Sequence, residues 1–394
     1  MLCINGPSQT EGELTVSWSK NAVLPVIAAA LLVKQTRLTN VPDISDVHDF
    51  CHAIESMGWS ANFSNNVMEI DTTHVHENGF NPEQISRTRA GIYFIPALLH
   101  HFGKARLPYP GGDKIGKRPI DEHVDGYVAM GYEYTSEEEG FMVQWNGHQE
   151  NTTVNTYFRV SATANVLIGA VMRKGQTKIE LAAFEPHIFC LVDFLRKVGA
   201  EIHIRYDHSI IVDGGKTLNE QIEFEVISDY LQSGTFAIIG ALTSKKYLDI
   251  HNARIPDLSA FLYKMNEAGV KTEELENDTL RVYRSDNLRA VNIQTNIFPG
   301  FPTDLMPLFS VLMTQCEWTS KIQEMLYEER LNWLVEYEIM GGHVALMNPH
   351  EALVFGKTPL VWAKVNSWDL RSGSAMVIAG MIAEWETKIN DVYW

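Results

Sequence analysis

The feature that most constrains the fold of this chain is a pattern of about 70 residues that recurs along its whole length. Each copy contains a helix of small apolar residues, a short β-branched strand, a polar turn, a second helix and then a glycine. The glycines that close the copies follow one another at nearly equal spacing: Gly58, Gly131, Gly199, Gly269 and Gly341. Each suits the position after a helix C-terminus, where the left-handed conformation costs glycine little. Because an extended stretch follows each glycine, the repeat predicts an αβαββ unit.

Six such repeats predict two domains of three repeats each, since one core of this size would be too large. The first helices, such as VLPVIAAALL, almost lack polar residues, so we expect them inside each domain with sheets around them. We expect a continuous domain at 20–228 and a discontinuous domain formed by 1–19 with 229–394. The N-terminal strands LCING and ELTVSW are expected to pair with strands of the sixth repeat. That repeat is predicted to be truncated, because its closing glycine would fall beyond residue 394.

Charge and composition exclude several classes of function. The net charge of −17 argues against a nucleic-acid-binding surface, although a few cations in one cleft can still bind a small anion. A long apolar run and a signal peptide are both missing from the sequence, so we expect a cytoplasmic protein that binds no membrane. Its four cysteines are far apart, which predicts a reducing compartment and no cysteine-based metal site.

Three repeats open with a cation, at Lys20, Arg89 and Arg371. A cation at a helix N-terminus opposes the helix dipole, so its recurrence suggests that an anion binds at these helix ends. The alternative is that each cation is a solvated residue at the rim of a domain. The fifth repeat opens instead with Asp304, which is either an ordinary helix N-cap or a carboxylate that acts on a substrate hydroxyl.

The second repeat contains the loop PYPGGDKIGKRPID at 108–121. The loop almost matches a phosphate-binding loop, but Arg118 replaces the Ser or Thr that would bind Mg²⁺, so nucleoside triphosphate hydrolysis is not expected. Pro119 suits the first position of the following helix, and Asp121 and Glu122 suit its first turn. The glycine pair and the cations predict a lid over an anionic ligand, and a solvated loop is the alternative.

Several motifs together resemble the enolpyruvyl transferases, the family of UDP-N-acetylglucosamine 1-carboxyvinyltransferase and of EPSP synthase. These motifs are SKNAVLPVIAAALL, RTRAGIYFIPALL, PGGDKIGKRPID, PGFPTDLMP, YEERL and DLRSGSAMVIAG, in the same order and spacing. The resemblance implies an EPSP synthase-like, two-domain inside-out α/β barrel with substrates in the cleft between the domains. It implies transfer of the enolpyruvyl group of phosphoenolpyruvate to the 3′-hydroxyl of UDP-N-acetylglucosamine, with release of phosphate, by a monomer that needs no cofactor or metal.

The resemblance also implies a set of site residues. It assigns catalysis to Asp113, Lys20, Asp304 and Arg118. Asp113 stands where most members have a cysteine, which fosfomycin alkylates, and it is the candidate general acid. The residues implied in substrate binding are Lys20, Asn21, Arg89, Arg118, Pro119, Ile120, Asp121, Glu122, Arg159, Val160, Asp304, Leu326, Arg330 and Arg371.

The sequence departs from the family at several of these places. Arg159 replaces a serine expected at a diphosphate, Glu122 replaces an apolar residue, and Tyr230 and Gln232 replace an arginine and a glutamate. The final Asp-Arg-Gly-Tyr motif of the family is not present. Two alternatives therefore stay open, a related transferase with another nucleotide acceptor and a nucleotide-sugar-binding pseudoenzyme.

Overall fold

The computed structural model describes residues 1–74, 89–109, 119–147 and 151–392, with the side chain of Arg89 left out. The chain divides into two compact units, with boundaries after Val16 and after Ile227. One unit contains the described part of 17–227, and the other contains residues 1–16 together with 228–392. We call them the 17–227 unit and the 228–392 unit.

The helices of the described residues occur in pairs along the chain, as the repeat predicts. They are α1 (Lys20–Ala30), α2 (Ser45–Ser56), α3 (Ile95–Phe102), α4 (Asp121–Ala129), α5 (Val160–Met172), α6 (Pro186–Lys197), α7 (Tyr230–Thr243), α8 (Ser259–Glu267), α9 (Met306–Thr314), α10 (Glu336–Ile339) and α11 (Leu370–Ile382). Short 3₁₀ segments precede several of them, at Arg89–Phe94, Ile255–Leu258, Thr303–Leu305 and Asn332–Val335.

The strands are short, as expected for a chain that changes between helix and strand so often. They are β1 (Leu2–Gly6), β2 (Thr10–Thr15), β3 (Gln35–Thr39), β4 (Ser60–Ser64), β5 (Val67–Asp71), β6 (Lys104–Pro108), β7 (Tyr132–Glu137), β8 (Gly140–Trp145), β9 (Asn151–Asn155), β10 (Gly175–Glu180), β11 (Glu201–Arg205), β12 (Ser209–Gly214), β13 (Gln221–Glu225), β14 (Ser244–His251), β15 (Thr272–Leu275), β16 (Thr279–Tyr283), β17 (Asn292–Gln294), β18 (Trp318–Gln323), β19 (His343–Asn348), β20 (Glu351–Gly356), β21 (Lys364–Asn366) and β22 (Trp385–Asn390).

The 17–227 unit encloses the apolar helices α1, α3 and α5. Most residues of these helices are buried, including all of Ala22–Ala30 in α1, and they share one core. Three sheets belong to this unit, in the orders β13-β3-β5-β4, β6-β8-β7 and β11-β12-β10-β9. Burial alternates along strands such as β3, so each such strand turns one face to the helices and the other to solvent.

The 228–392 unit repeats this plan with the apolar helices α7, α9 and α11. Every residue of α9 is buried, and the three helices share a second core. Its sheets have the orders β15-β16-β14-β2, β17-β18-β20-β19 and β1-β22-β21. Helices inside and sheets outside confirm the predicted inside-out α/β architecture.

The N-terminal strands correct one expectation. β1 pairs antiparallel with β22 of the sixth repeat, as predicted, with Leu2 opposite Ile389. β2 does not join it, but pairs in parallel with β14 of the fourth repeat. β13, the strand that precedes the fourth repeat, pairs in parallel with β3 of the first repeat, so β14 has β2 as its parallel neighbour instead.

The glycines that close the repeats behave as predicted. Their φ angles lie between 79° and 105° at Gly341, Gly58, Gly131, Gly269 and Gly199, and a strand follows each of them. A side chain in this left-handed conformation would be strained, which explains why the repeat keeps glycine there.

None of the helices in the described ranges has the length and apolar character that crossing a membrane requires.

Candidate active site

A carboxylate held by two arginines forms a charge cluster in the 228–392 unit. Asp304 lies in the 3₁₀ turn before α9. Its Oδ1 accepts a hydrogen bond of 2.7 Å from Arg330 Nη2, and its Oδ2 accepts one of 2.9 Å from Arg371 Nη2. Arg330 is almost buried, and the Asp304 side chain keeps 26% of its surface exposed. Asp304 is therefore a partly buried carboxylate whose two oxygens are each held by an arginine.

The two arginines decide the ionisation of Asp304. Burial by itself would raise the pKa of this carboxyl, but the charges of Arg371 and Arg330 outweigh it and hold the pKa well below its usual range. Burial likewise acts to lower the pKa of Arg371, and the carboxylates of Asp304 and Asp229 reverse this and raise it. The structure does not support the N-cap interpretation of Asp304. Among the described residues, no side-chain hydrogen bond caps α9, and both oxygens of Asp304 accept hydrogen bonds from arginines.

Asp229 is a second carboxylate of this cluster, which the sequence did not single out. It caps α7 by accepting a hydrogen bond of 2.9 Å from the Leu231 amide. Burial raises its pKa, and the charge of Arg371 opposes that shift. Gly234 allows Leu305, the residue after Asp304, to pack closely against α7, since a Cβ at Gly234 would lie 2.5 Å from Leu305 Cδ1. The signal in the sequence was the same as for Asp304, an aspartate just before an apolar helix.

Leu326 lies in the turn between β18 and Arg330. Its amide donates a hydrogen bond of 2.8 Å to the carboxylate of Glu324, which fixes the backbone at this point. The structure therefore brings together four of the predicted residues in this unit: Asp304, Leu326, Arg330 and Arg371.

In the 17–227 unit, Lys20 is the first residue of α1, and Ser19 caps that helix. The Lys20 ammonium donates a hydrogen bond of 2.7 Å to Asp46 Oδ2, in the first turn of α2. Asn21 follows Lys20 and is half-buried. A carboxylate thus holds this cation, while 36% of the Lys20 side chain stays exposed.

The predicted residues at 119–122 and 159–160 meet at the adjacent N-termini of α4 and α5. Glu122 Oε1 accepts a hydrogen bond of 3.2 Å from Arg159 Nε. Gly126 allows the two helices to pack closely, because a Cβ there would lie 2.5 Å from Val166 Cγ2. Arg159 is the N-cap residue of α5 and makes no side-chain cap, so its guanidinium is available for this pair. The unusual carboxylate at 122 is explained by its arginine partner.

One boundary in this region differs from the prediction. α4 begins at Asp121, with Ile120 as its N-cap, so Pro119 precedes the helix and is not its first residue. Asp121 and Glu122 do lie in the first turn.

Three of the predicted residues cannot be placed in this way. Asp113 and Arg118 lie outside the described residues, with most of the loop at 108–121. Arg89 opens the 3₁₀ segment before α3, and its side chain is outside the described part.

Three side chains of types that can ligate a metal lie together elsewhere in the described residues, on β11 and β12. The ligand atoms of Glu201, His203 and Asp213 lie within 4.8 Å of one another. Glu201 also pairs with Lys216 at 3.0 Å, and Asp213 accepts a hydrogen bond from Gln176 at 3.0 Å. Contacts within the protein therefore account for these side-chain positions.

The fold matches that of solved enolpyruvyl transferases. The enolpyruvyl transferase NikO from Streptomyces tendae has a TM-score of 0.88 at 19% identity, over 99% of this chain and 92% of that one. An EPSP synthase from Acinetobacter baumannii has a TM-score of 0.72 at 17% identity, over 99% of this chain and 94% of that one. At these identities the likeness establishes the fold class.

Sequence comparison adds the family. The EPSP synthase (3-phosphoshikimate 1-carboxyvinyltransferase) family matches residues 4–394, and the chain belongs to that family. A Halothermothrix orenii protein named UDP-N-acetylglucosamine 1-carboxyvinyltransferase is 35% identical over 390 residues, covering 99% of this chain and 93% of the relative. A protein of the same name from Chlorobium luteolum is 35% identical over 397 residues, covering 100% and 92%. The family resemblance of the sequence motifs is thereby confirmed.

Proposed function

We propose that this protein transfers the enolpyruvyl group of phosphoenolpyruvate to the 3′-hydroxyl of UDP-N-acetylglucosamine and releases phosphate, the first committed step of peptidoglycan synthesis. The observation that carries the proposal is the carboxylate of Asp304 clamped between Arg330 and Arg371. The full-length similarity to enzymes named for this reaction supports it.

The chemistry needs a proton at the methylene carbon C3 of phosphoenolpyruvate, which makes C2 electrophilic. We assign this proton to Asp113, because general acid catalysis requires a group that can be protonated near the substrate. The anionic charge of phosphoenolpyruvate would raise the pKa of a nearby carboxyl and favour its protonated form.

The hydroxyl oxygen then forms a bond to C2, and the hydroxyl proton passes to a carboxylate. Asp304 is our candidate for the group that orients this hydroxyl. Its lowered pKa makes it a weak base, so it holds the hydroxyl by a hydrogen bond and accepts the proton only as the C–O bond forms. In the second step C3 loses a proton to the Asp113 carboxylate, the C2–O bond to phosphate breaks and its electron pair leaves on the phosphate oxygen, and the C2–C3 double bond returns.

Cations are needed around the carboxylate and phosphate of phosphoenolpyruvate and the diphosphate of the acceptor. We assign this binding to Lys20, Arg89, Arg118, Arg159, Arg330 and Arg371. The remaining predicted contacts with the acceptor are Asn21, Pro119, Ile120, Asp121, Glu122, Val160 and Leu326. The proposal includes a cytoplasmic, monomeric enzyme, and analytical ultracentrifugation tests the monomer.

The experiment is a phosphate-release assay with phosphoenolpyruvate and UDP-N-acetylglucosamine, each omitted in turn. We expect release only when both are present. Saturable binding of UDP-N-acetylglucosamine without release would favour a nucleotide-sugar-binding protein. A transferase with another nucleotide acceptor is the second candidate, because the pair of Glu122 and Arg159 alters the predicted diphosphate contact. Release with another uridine or purine nucleotide, and not with this sugar, would identify it.

A further inference from the structure

Glu324 is a buried carboxylate that the sequence did not assign to the site. It follows β18 directly and has 0% of its surface exposed. Its backbone is anchored on both sides by His350, whose carbonyl accepts from the Glu324 amide at 2.8 Å and whose Nδ1 lies 2.7 Å from the Glu324 carbonyl oxygen. A buried carboxylate is destabilising unless hydrogen-bond donors surround it, so the donors around Glu324 indicate its role.

Three donors meet the Glu324 carboxylate, two backbone amides and one hydroxyl. Oε1 accepts from the amides of Leu326 at 2.8 Å and Tyr327 at 3.3 Å. Oε2 accepts from the hydroxyl of Thr303 at 2.8 Å. One side chain therefore fixes both the turn that carries Leu326 and the residue before Asp304.

The hydrogen bond from Thr303 sets the direction of the next one. The Thr303 hydroxyl uses its hydrogen to donate a hydrogen bond to Glu324, so its oxygen is free to accept one. Arg330 Nη1 donates to that oxygen at 3.2 Å. Arg330 Nη2 donates to Asp304 at 2.7 Å. Arg330 Nε is buried without a partner among the described residues, so the two Nη contacts and the Tyr327 ring, 5.4 Å away, determine the guanidinium position.

We propose that Glu324 is a positioning residue that orients Arg330, and through it Asp304, by making the Thr303 hydroxyl an acceptor. The inference depends on the proposed function for its kinetic test, because Asp304 and Arg330 are assigned there.

Glutamine at 324 distinguishes this role from simple filling of space. Its amide has the same shape, but only one of its two ends accepts hydrogen bonds. If the NH₂ group faces Thr303, the hydroxyl must point its proton toward Arg330, where two donors conflict. If the NH₂ group faces the other way, it meets the amides of Leu326 and Tyr327. Either orientation disturbs the network, which a carboxylate satisfies completely.

The test compares four variants with the wild type in the phosphate-release assay. Glu324→Gln and Thr303→Val remove the acceptor chain, Thr303→Ser restores it, and Glu336→Gln is the matched control. Glu336 is also buried, and its carboxylate accepts hydrogen bonds from two neutral donors, the backbone amide of Asn366 and the indole N–H of Trp368. We expect kcat to fall about 10- to 100-fold in the first two, because a small misplacement of a positioned group can cost about 100-fold in rate. We expect Thr303→Ser and Glu336→Gln to stay within about 3-fold of wild type.

The double variant Glu324→Gln, Thr303→Val tests the route. If Glu324 acts through Thr303, the double variant is no slower than the slower single one, because the second change removes nothing further. Multiplied losses would overturn this route, and so would wild-type kcat in Glu324→Gln.

Crystal structures of Glu324→Gln and Thr303→Val make the result independent of turnover. The proposal expects the Arg330 guanidinium to leave Thr303 and to shift at Asp304. An unmoved guanidinium contradicts the proposal even if the wild type shows no transferase activity. A wild type without activity but with a displaced guanidinium in the variants would count against the proposed function alone.

Discussion

Arg371 donates a hydrogen bond of 2.9 Å from Nη2 to Oδ2 of Asp304, although 67 residues separate the two in the chain. Arg330 occupies the other oxygen, so each oxygen of one carboxylate has its own arginine. The arrangement keeps Asp304 ionised and oriented, and it makes the carboxylate more suitable for holding a hydroxyl than for storing a proton.

The first prediction concerns this carboxylate. Asp304→Asn keeps the shape of the side chain but removes the charge that binds both arginines, so we expect kcat to fall about 100-fold or more. Asparagine is preferred to alanine because alanine would leave Nη2 of the nearly buried Arg330 without a hydrogen-bond acceptor, which costs stability as well as activity. Initial rates of phosphate release and a thermal unfolding curve measure the two effects separately. A kcat within about 3-fold of wild type would show that Asp304 is not needed for turnover.

The second prediction is the pH dependence of stability. The folded-state pKa of Asp304 lies below its ordinary value, so the carboxylate stabilises the fold above its unfolded pKa of about 3.9. That contribution is lost as the pH falls from there toward the folded pKa. Urea unfolding of the wild type and Asp304→Asn should give a constant difference in free energy of unfolding between about pH 7 and pH 5. The difference should shrink below about pH 4, and a difference that grows in acid would contradict the sign of the shift.

The third prediction concerns the pair of Arg159 and Glu122. Arg159 has 46% of its side chain exposed, so the ion pair contributes little to stability. If Arg159 meets a phosphate of the acceptor, Arg159→Ala should raise the KM for UDP-N-acetylglucosamine about 10-fold or more with an unchanged unfolding temperature. The matched control is Arg37→Ala in the same unit, since Arg37 is 45% exposed and paired with Glu223 on an outer strand. Equal KM values for the two variants would remove Arg159 from the binding site.

The fourth prediction concerns Asp113. Asp113→Ala should lower kcat about 100-fold or more, because a positioned general acid contributes at least that much. Fosfomycin should cause no time-dependent covalent inactivation of the wild type, since residue 113 is not a cysteine. Asp113→Cys should gain this sensitivity, with a mass increase equal to that of the inhibitor. Full turnover in Asp113→Ala would show that another group delivers the proton.

The sequence predicted the elements that depend on local patterns. The apolar helices, the left-handed glycines and the inside-out architecture follow from a period that is visible in every repeat. The partner of β2 was not predictable in the same way, because a parallel pairing between residues 10–15 and 244–251 leaves no local signal. The choice between an N-cap and a charged cluster at Asp304 was open for the same reason. Its partners are 26 and 67 residues away, and only the packed fold brings them to it.

Buried polar groups of the site were also missed. Glu324 and Asp229 read in the sequence as ordinary acidic residues beside a strand and a helix. Their importance comes from burial and from donors supplied by other elements, which a one-dimensional pattern does not contain.

The most direct test of the proposed function identifies the product. Wild-type protein is incubated with phosphoenolpyruvate and UDP-N-acetylglucosamine, and phosphate and nucleotide products are quantified together by ³¹P NMR and mass spectrometry. The account predicts one phosphate for each UDP-N-acetylglucosamine that gains an enolpyruvyl ether at its 3′-oxygen. Phosphate release without that ether, or an unmodified sugar nucleotide after prolonged incubation, would contradict it.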